Sequence, residues 1–431
     1  MQSIILIILI TIFGSLIVKV LIKELKPLLV MSTGFLIGLG LLTFILFAIS
    51  WIGIRITNLS IWSSVIFMLF ATSIPFYLLK RKINFDKLKL LRIESAGLLL
   101  IAFILALSFL LSVYFPITAW DALALYDFRA KVIADAGYFV QISKNYNYFS
   151  HYPLHTSLTH TIIYLTGNLN PQFIYSIYLL VFSVIFYTFL KALTKKNIAL
   201  ISTILLITTP DIFEHSTLAY TNLPYTVLYV SGIIYLFFAF LKENDGYLMI
   251  SSLLIALSTW VRSDLPFWLT GILFALFYSI KSRRIRPFLL YLIPFMIIQQ
   301  TWNRFASMSF GNGYSTSGQL SEAGTSLLKN LDISRFFEIC SYLYVNIISN
   351  WGPLLVLFVI CMIVNIFKKR TSSIILLAII IVNLVGLFVG TYVFSFKVAE
   401  WKEIADSAAR MSMFFPPLII FYSSLVISDN T

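Results

Sequence analysis

FPITAWDALALYDFRAKVIADAG, Phe115 to Gly137, gathers acids, bases and aromatics directly after an apolar run that ends at Tyr114. Helix-start signals open it: Pro116, then Thr118 with Asp121 three residues on, the S/T-x-x-D/E form of a capping box. Gly137 is a natural stop, because glycine accepts the left-handed backbone that ends helices. Between them Leu125, Phe128 and Val132 recur at helical spacing, while Asp127 and Lys131 sit four apart elsewhere on the helix. That pattern predicts a helix lying along a membrane surface. It places Trp120, Asp121, Arg129 and Lys131 at one water boundary, where they suit chemistry on a charged lipid.

The rest of the chain explains why such a boundary exists. With 59% hydrophobic residues, 11% charged residues and a mean hydropathy of +0.92, the composition excludes a soluble globule and predicts an all-α polytopic membrane protein. Cys340 and Cys361 lie in or beside apolar segments without metal-ligand spacing, so no disulfide framework is implied. The first apolar run, Ile4 to Ile22, lacks a basic leader and a small-residue cleavage site and is read as a retained span.

Apolar segments of spanning or near-spanning length run about 4–22, 28–50, 60–79, 95–115, 171–190, 197–210, 221–241, 247–262, 265–280, 287–303, 351–367, 372–394 and 413–428. Basic clusters fix their orientation. Lys23 and Lys26, the run at 80–92, Lys191 to Lys196, KSRRIR at 281–286 and KKR at 368–370 belong inside by the positive-inside rule. Sorted this way, the inner side holds 20 bases and 6 acids, and the outer side 11 bases and 12 acids. The formal charge of +13 is thereby a topology signal, and no nucleic-acid partner is needed to explain it.

Residues Thr156 to Thr166 are too short to cross, at about 1.5 Å of rise per residue, and are expected to dip in from the outer face as a half-helix. The expectation is thirteen crossings, the amino terminus outside and the carboxyl terminus inside. Residues 1–431 form a single integral membrane domain. Its outward loops are 115–155, read as catalytic, 211–220, 262–264, 303–350, read as mobile, and 395–412.

Each candidate in these loops has two readings. Asp121 could deprotonate an acceptor hydroxyl or hold a metal ion, or it could cap its own helix. Trp120 is equally at home in an aromatic belt. Arg129 could grip a lipid phosphate through two parallel hydrogen bonds, or contact headgroups, and Lys131 could instead pair with Asp127. His151 and His155 have i, i+4 spacing, but Pro153 interrupts the helix and no Cys or Glu completes a zinc set, which favours a hydrogen-bonding role. PDIFEHSTLAYTNLP at 210–224 concentrates Asp211, Glu214, His215, Tyr220 and Asn222 at one turn, a costly density unless a pocket uses it. In WVRSDLP, Arg262 and Asp264 could serve a ligand or only each other. Arg410, just before a proline-headed span, could bind a phosphate or snorkel to the interface.

Taken in order, these motifs resemble the GT-C superfamily of membrane glycosyltransferases, the branch with protein O-mannosyltransferases and lipid A sugar transferases. The resemblance rests on TAWDALALYDFRAKVIADAGYF followed by SHYPLHTSLTH, then TPDIFEHSTLAYTNLP, VRSD and ARMSMFFPP, and spans roughly 115–420. It implies a GT-C-like bundle of about thirteen transmembrane helices, with interfacial helices in the first outward loop. It also implies an enzyme of the cell membrane, active on its outer face, that moves a sugar from a polyprenyl-phosphate-linked donor to a glycan, lipid or protein acceptor.

Carried over, the family aspartate would be the catalytic Asp121, acting as general base or as the group that positions the acceptor. Arg129, Lys131, Arg410 and Arg262 hold the donor phosphate, and Trp120, His151, Tyr152, Glu214, Asn222 and Asp264 complete the substrate-binding set. Where the family often has Asp before Leu-Pro, this chain has Asn222. A divalent metal is left open. The alternatives are a transporter or flippase for an amphipathic anion, which predicts charges in mid-span or paired broken helices, and a non-catalytic partner in envelope polysaccharide assembly.

Overall fold

The computed structural model describes residues 1–81, 96–139, 152–310, 324, 332–368, 371–396, 401–402 and 409–428. Every regular element among them is helical. In chain order they are α1 (Gln2–Leu21), α2 (Pro27–Trp51), α3 (Asn58–Leu78), α4 (Ala96–Tyr114), a π-helical turn (Ala122–Asp127) running into α5 (Phe128–Ala136), α6 (His155–Leu165), α7 (Phe173–Leu193) and α8 (Lys196–Thr208). There follow α9 (Pro210–His215), α10 (Asn222–Lys242), α11 (Asp245–Val261), α12 (Leu265–Lys281), α13 (Arg286–Phe310), α14 (Ile333–Leu343), α15 (Pro353–Lys368), α16 (Thr371–Ser395) and α17 (Phe415–Ile427).

Each of the thirteen apolar segments read from the sequence is a helix here, and the short segment read at 156–166 is the 11-residue helix α6. Seven of these helices are long and apolar enough to cross a membrane, and an eighth span results if α14 and α15, bent by 95°, count together. The bend falls at Gly352, whose φ of +52° is costly for a side chain with a Cβ. Four further apolar helices, α8, α11, α12 and α17, are shorter. α13 runs to Phe310, past its expected end, and α14 occupies part of what was read as one long loop. The GNGYSTSGQLSEAG run up to Ala323 and Lys397, Glu400, Glu403 and Asp406 lie outside the described residues.

The most buried helix is α10, wrapped by α7, α11, α12 and α16. Polar side chains fasten it to its neighbours: the Tyr229 hydroxyl, with one proton to share, lies 2.7 Å from the Asn383 side-chain oxygen and 2.9 Å from the Phe267 carbonyl, and Tyr235 bonds Thr33 at 2.7 Å. A second seam joins α4, α7 and the residues after α9, where Ser108, Ser112, Ser176 and Ser216 hydrogen-bond in one cluster at 2.7–2.9 Å. Small hydroxyls of this kind hold helices together where apolar burial gives no preference between protein and lipid. The cluster also fixes the polar turn between α9 and α10.

Alternating helix directions bring the C-termini of α4, α8 and α11 and the N-termini of α7, α10, α12 and α17 to one end of the bundle. The opposite end collects the basic turns. There Arg284 makes a two-pronged pair with Asp245 at 3.0 and 3.1 Å, and Lys19 donates to the carbonyls of Lys23 and Leu25 at 3.1 Å.

α1 and α2 touch backbone to backbone. A Cβ added to Gly38 would lie 2.0 Å from the Ile10 carbonyl oxygen, and one on Gly14 would lie 1.9 Å from the Gly34 oxygen. Gly38→Val should therefore destabilise the folded protein by about 3 kcal/mol, the upper range for overpacking. Gly97→Ala, whose new Cβ would meet Leu200 at an ordinary 3.5 Å, should be near neutral. Thermal unfolding of both variants in detergent checks this.

Candidate functional site

At the end of the bundle opposite the basic turns, two residues 289 positions apart meet: Arg410 Nη1 donates to Asp121 Oδ2 at 2.8 Å. Asp121 makes no capping bond to its own helix. Both side chains are partly exposed, 25% for Arg410 and 34% for Asp121, so the pair faces an accessible space. The Arg410 guanidinium also lies over the Tyr220 ring, 5.6 Å from its centre, which orients a planar cation.

A line of contacts leads away from Tyr220. Its ring packs against His215 at 5.8 Å. His215 Nδ1 donates to the Asp211 carbonyl at 2.8 Å, which leaves Nε2 as the acceptor that the Asn222 amide bonds at 3.1 Å. The Asn222 oxygen then accepts from Arg262 Nη1 at 2.7 Å, and Arg262 Nε lies 3.4 Å from Asp264 Oδ2. Arg262 stacks over Tyr225 at 5.8 Å. Tyr126 closes the side toward α5 by bonding Thr221 at 3.2 Å and meeting the Tyr152 ring at 6.1 Å. Burial, then Tyr152, pushes the Tyr126 phenol up to about 12, so it stays a neutral hydroxyl.

The aspartate loop is held by a second, deeper cluster. Asp127, 1% exposed, accepts from His160 Nδ1 at 3.2 Å, from Tyr164 Oη and from Lys131 Nζ at 2.8 Å, and His160 Nε2 bonds Tyr175 at 2.9 Å. Burial pushes the Asp127 carboxyl up, but the bonds from His160, Lys131 and Tyr164 outweigh it and hold the pKa down to about 2. Beside it Arg129, 2% exposed, donates to Ser157 Oγ at 2.7 Å and to the Tyr152 and Pro153 carbonyls at 3.1 and 3.4 Å. Burial brings the Arg129 pKa down to about 10, still a cation at neutral pH. These contacts latch α5 onto the start of α6.

α5 and the turn before it thus turn their polar residues inward. Tyr126, Asp127 and Arg129 are buried with Ala122, Ala130 and Ile133, while Leu123 and Phe128 are more than 40% exposed. Helical spacing located the apolar stripe, but the polar face is the one that packs. The π-helical turn widens the helix just after Asp121, a distortion common at functional sites for which the sequence carried no signal.

Of the other expected site residues, Trp120 is 80% exposed and Lys131 and Glu214 are exposed. His155 is buried away from them, bonded to Thr43 at 2.9 Å and Tyr178 at 2.8 Å, and Thr43 also accepts from Trp260. His151 lies outside the described residues. Among the described residues no group of three or more His, Cys, Asp or Glu could hold a metal ion. The 33 residues between His160 and Asp127 leave no spacing signal in the sequence to pair them.

The Asp127 cluster makes a pH prediction with a definite sign. A carboxyl held below its unfolded value of about 3.9 stabilises the fold above that pH, and the contribution is lost as pH falls toward about 2. Wild-type protein should lose thermal stability over that window more steeply than Asp127→Asn, which should also be less stable at pH 7. Melting curves from pH 7 to 2 read both effects.

No curated protein and no solved structure matches the chain. Residues 151–302, which carry α6, the His215–Asn222 turn and the Arg262–Asp264 pair, match the model of the Dolichyl-phosphate-mannose-protein mannosyltransferase family, a family of the GT-C superfamily.

Proposed function

We propose that this chain is a glycosyltransferase that moves a sugar from a polyprenyl-phosphate carrier to an acceptor hydroxyl at the outer face of a cell membrane. The observation that supports this best is the 2.8 Å pair of Asp121 and Arg410, which sets a base and a phosphate-binding cation side by side. The family match supplies the class of reaction. The outward orientation rests on the positive-inside rule, since the basic turns gather at the end away from the pair. On this reading all thirteen apolar helices cross, the short ones within a protein-lined interior. The loop 115–155 is the catalytic one, and its α5 lies in the interface.

In the reaction the acceptor oxygen attacks the anomeric carbon as the bond from that carbon to the phosphate oxygen breaks. Asp121 takes the hydroxyl proton, and Arg410 stabilises the charge that passes to the departing phosphate. Lys131, exposed and already paired with Asp127, adds positive charge at the headgroup level. Arg129 acts through position, holding α5 and the Tyr152–Pro153 backbone in register. Trp120 and Tyr152 border the acceptor's approach, and Glu214 and Asn222 act through His215.

Asp121→Asn should lower transfer by about 100-fold to 10,000-fold, the range for a general base, with normal membrane insertion and melting temperature. Near wild-type transfer of labelled sugar from a polyprenyl-phosphate donor by the purified variant would reject the base assignment. Orientation is read separately in a Cys340→Ser background. Cysteine at Thr217 should react with an impermeant maleimide from outside the cell, and cysteine at Ser282 only after lysis.

A further inference from the structure

Arg262 and Asp264 form an odd pair. Their charged atoms approach to 3.4 Å, yet Arg262 Nε and Asp264 Oδ2 are both shielded from solvent and neither makes a hydrogen bond among the described residues. Arg262 spends Nη1 on Asn222 and its flat face on Tyr225. Among the fully shielded atoms of the pair this leaves one donor, Nε, beside one acceptor, Oδ2, at a spacing a single oxygen can bridge at about 2.9 Å from each. Leaving both unmet is costly, so such an arrangement is built for a visitor. The side chains are 8% and 14% exposed through their other atoms, so the two shielded groups lie just beneath the surface.

The chemistry of the visitor follows from what each candidate can do. A phosphate oxygen only accepts; it would satisfy Arg262 and repel the Asp264 carboxylate. An ammonium only donates and would do the reverse. A hydroxyl accepts from Arg262 Nε while donating to Asp264 Oδ2, and adds no charge to a pair that is already neutral. Through Asn222, His215 and Tyr220 the pair is contiguous with Arg410.

We infer that Arg262 and Asp264 bind a hydroxyl of the sugar being transferred and so help select it, leaving the phosphate to Arg410. The inference rests on the transfer reading given above, because the sugar is bonded to the phosphate that Arg410 holds. It makes the pair a specificity site for a neutral polyol. A site built around one hydroxyl rejects the analogue lacking it strongly, on the order of 10⁴-fold in the best cases.

The test uses the full-length protein in detergent with short-chain polyprenyl phosphate, bare or carrying one of a panel of neutral hexoses and pentoses, and the monodeoxy forms of the best ligand. Wild type should bind one glycosylated lipid more tightly than the bare phosphate and lose at least about 100-fold in transfer rate with one deoxy form. Asp264→Asn and Arg262→Lys should weaken the glycosylated lipid, leave the bare phosphate unchanged, and lose little further with that same deoxy donor. Equal penalties for every deoxy donor, or an effect confined to the KM of the acceptor, would overturn the assignment. So would a panel that binds no better than bare phosphate, although phosphate binding would then keep the transfer reading alive. If neither lipid class binds, the transfer reading falls and the inference falls with it.

Discussion

For Asp121 and Arg410 to touch, everything between them must fold back to the same end of the bundle. Their 2.8 Å contact closes a circuit of 289 residues, and the other polar assemblies of that end lie around it. The serine seam fixes the turn that carries His215 and Tyr220, and Tyr220 supports the Arg410 guanidinium. The Asp127 cluster and Arg129 hold α5 against α6, which sets where Asp121 emerges. In a protein whose apolar side chains gain little by choosing each other over lipid, such hydrogen-bonded contacts define register.

This division of labour shapes the aspartate loop. In water a surface helix buries its apolar stripe. Here Leu123 and Phe128 are left exposed while a carboxylate, an imidazole, two tyrosines and a guanidinium pack together between α5 and α6. The cost of burying Asp127 is met by three donors at once, so the group stays ionised and its loop stays anchored. A long side chain such as Lys131 can complete the set while staying largely exposed itself.

Much of this was legible in the sequence because length and hydropathy act locally. The thirteen apolar stretches became helices, α6 was read as too short to cross, Gly137 ends α5 in the left-handed conformation, and Lys131 pairs with Asp127 four residues away. The loops that were read as outward supply Asp121, Asn222, Arg262, Asp264 and Arg410, which the fold links into one connected set. What could not be read depends on long-range partners. Nothing near Asp121 says that it pairs with Arg410 and does not cap its helix, and nothing near Arg129 says that Ser157 takes its Nε. The π-helical turn, likewise, answers to packing against α6 and not to any local preference.

Asn222 shows how a one-atom difference can set the charge state of a neighbourhood. The Asp211 carbonyl claims the proton on His215 Nδ1, so the other ring nitrogen offers a lone pair, and only an NH₂ can meet it. A carboxylate at 222 would oppose that lone pair with another, and the imidazole would have to become a cation to accept it. Amide chemistry keeps the ring neutral, gives Arg262 an uncharged oxygen, and leaves Arg410 and Arg262 as the cations beside the turn. The charge that Arg410 and the neutral Arg262–Asp264 pair present on either side of the turn then does not change as the medium moves through the titration range of histidine.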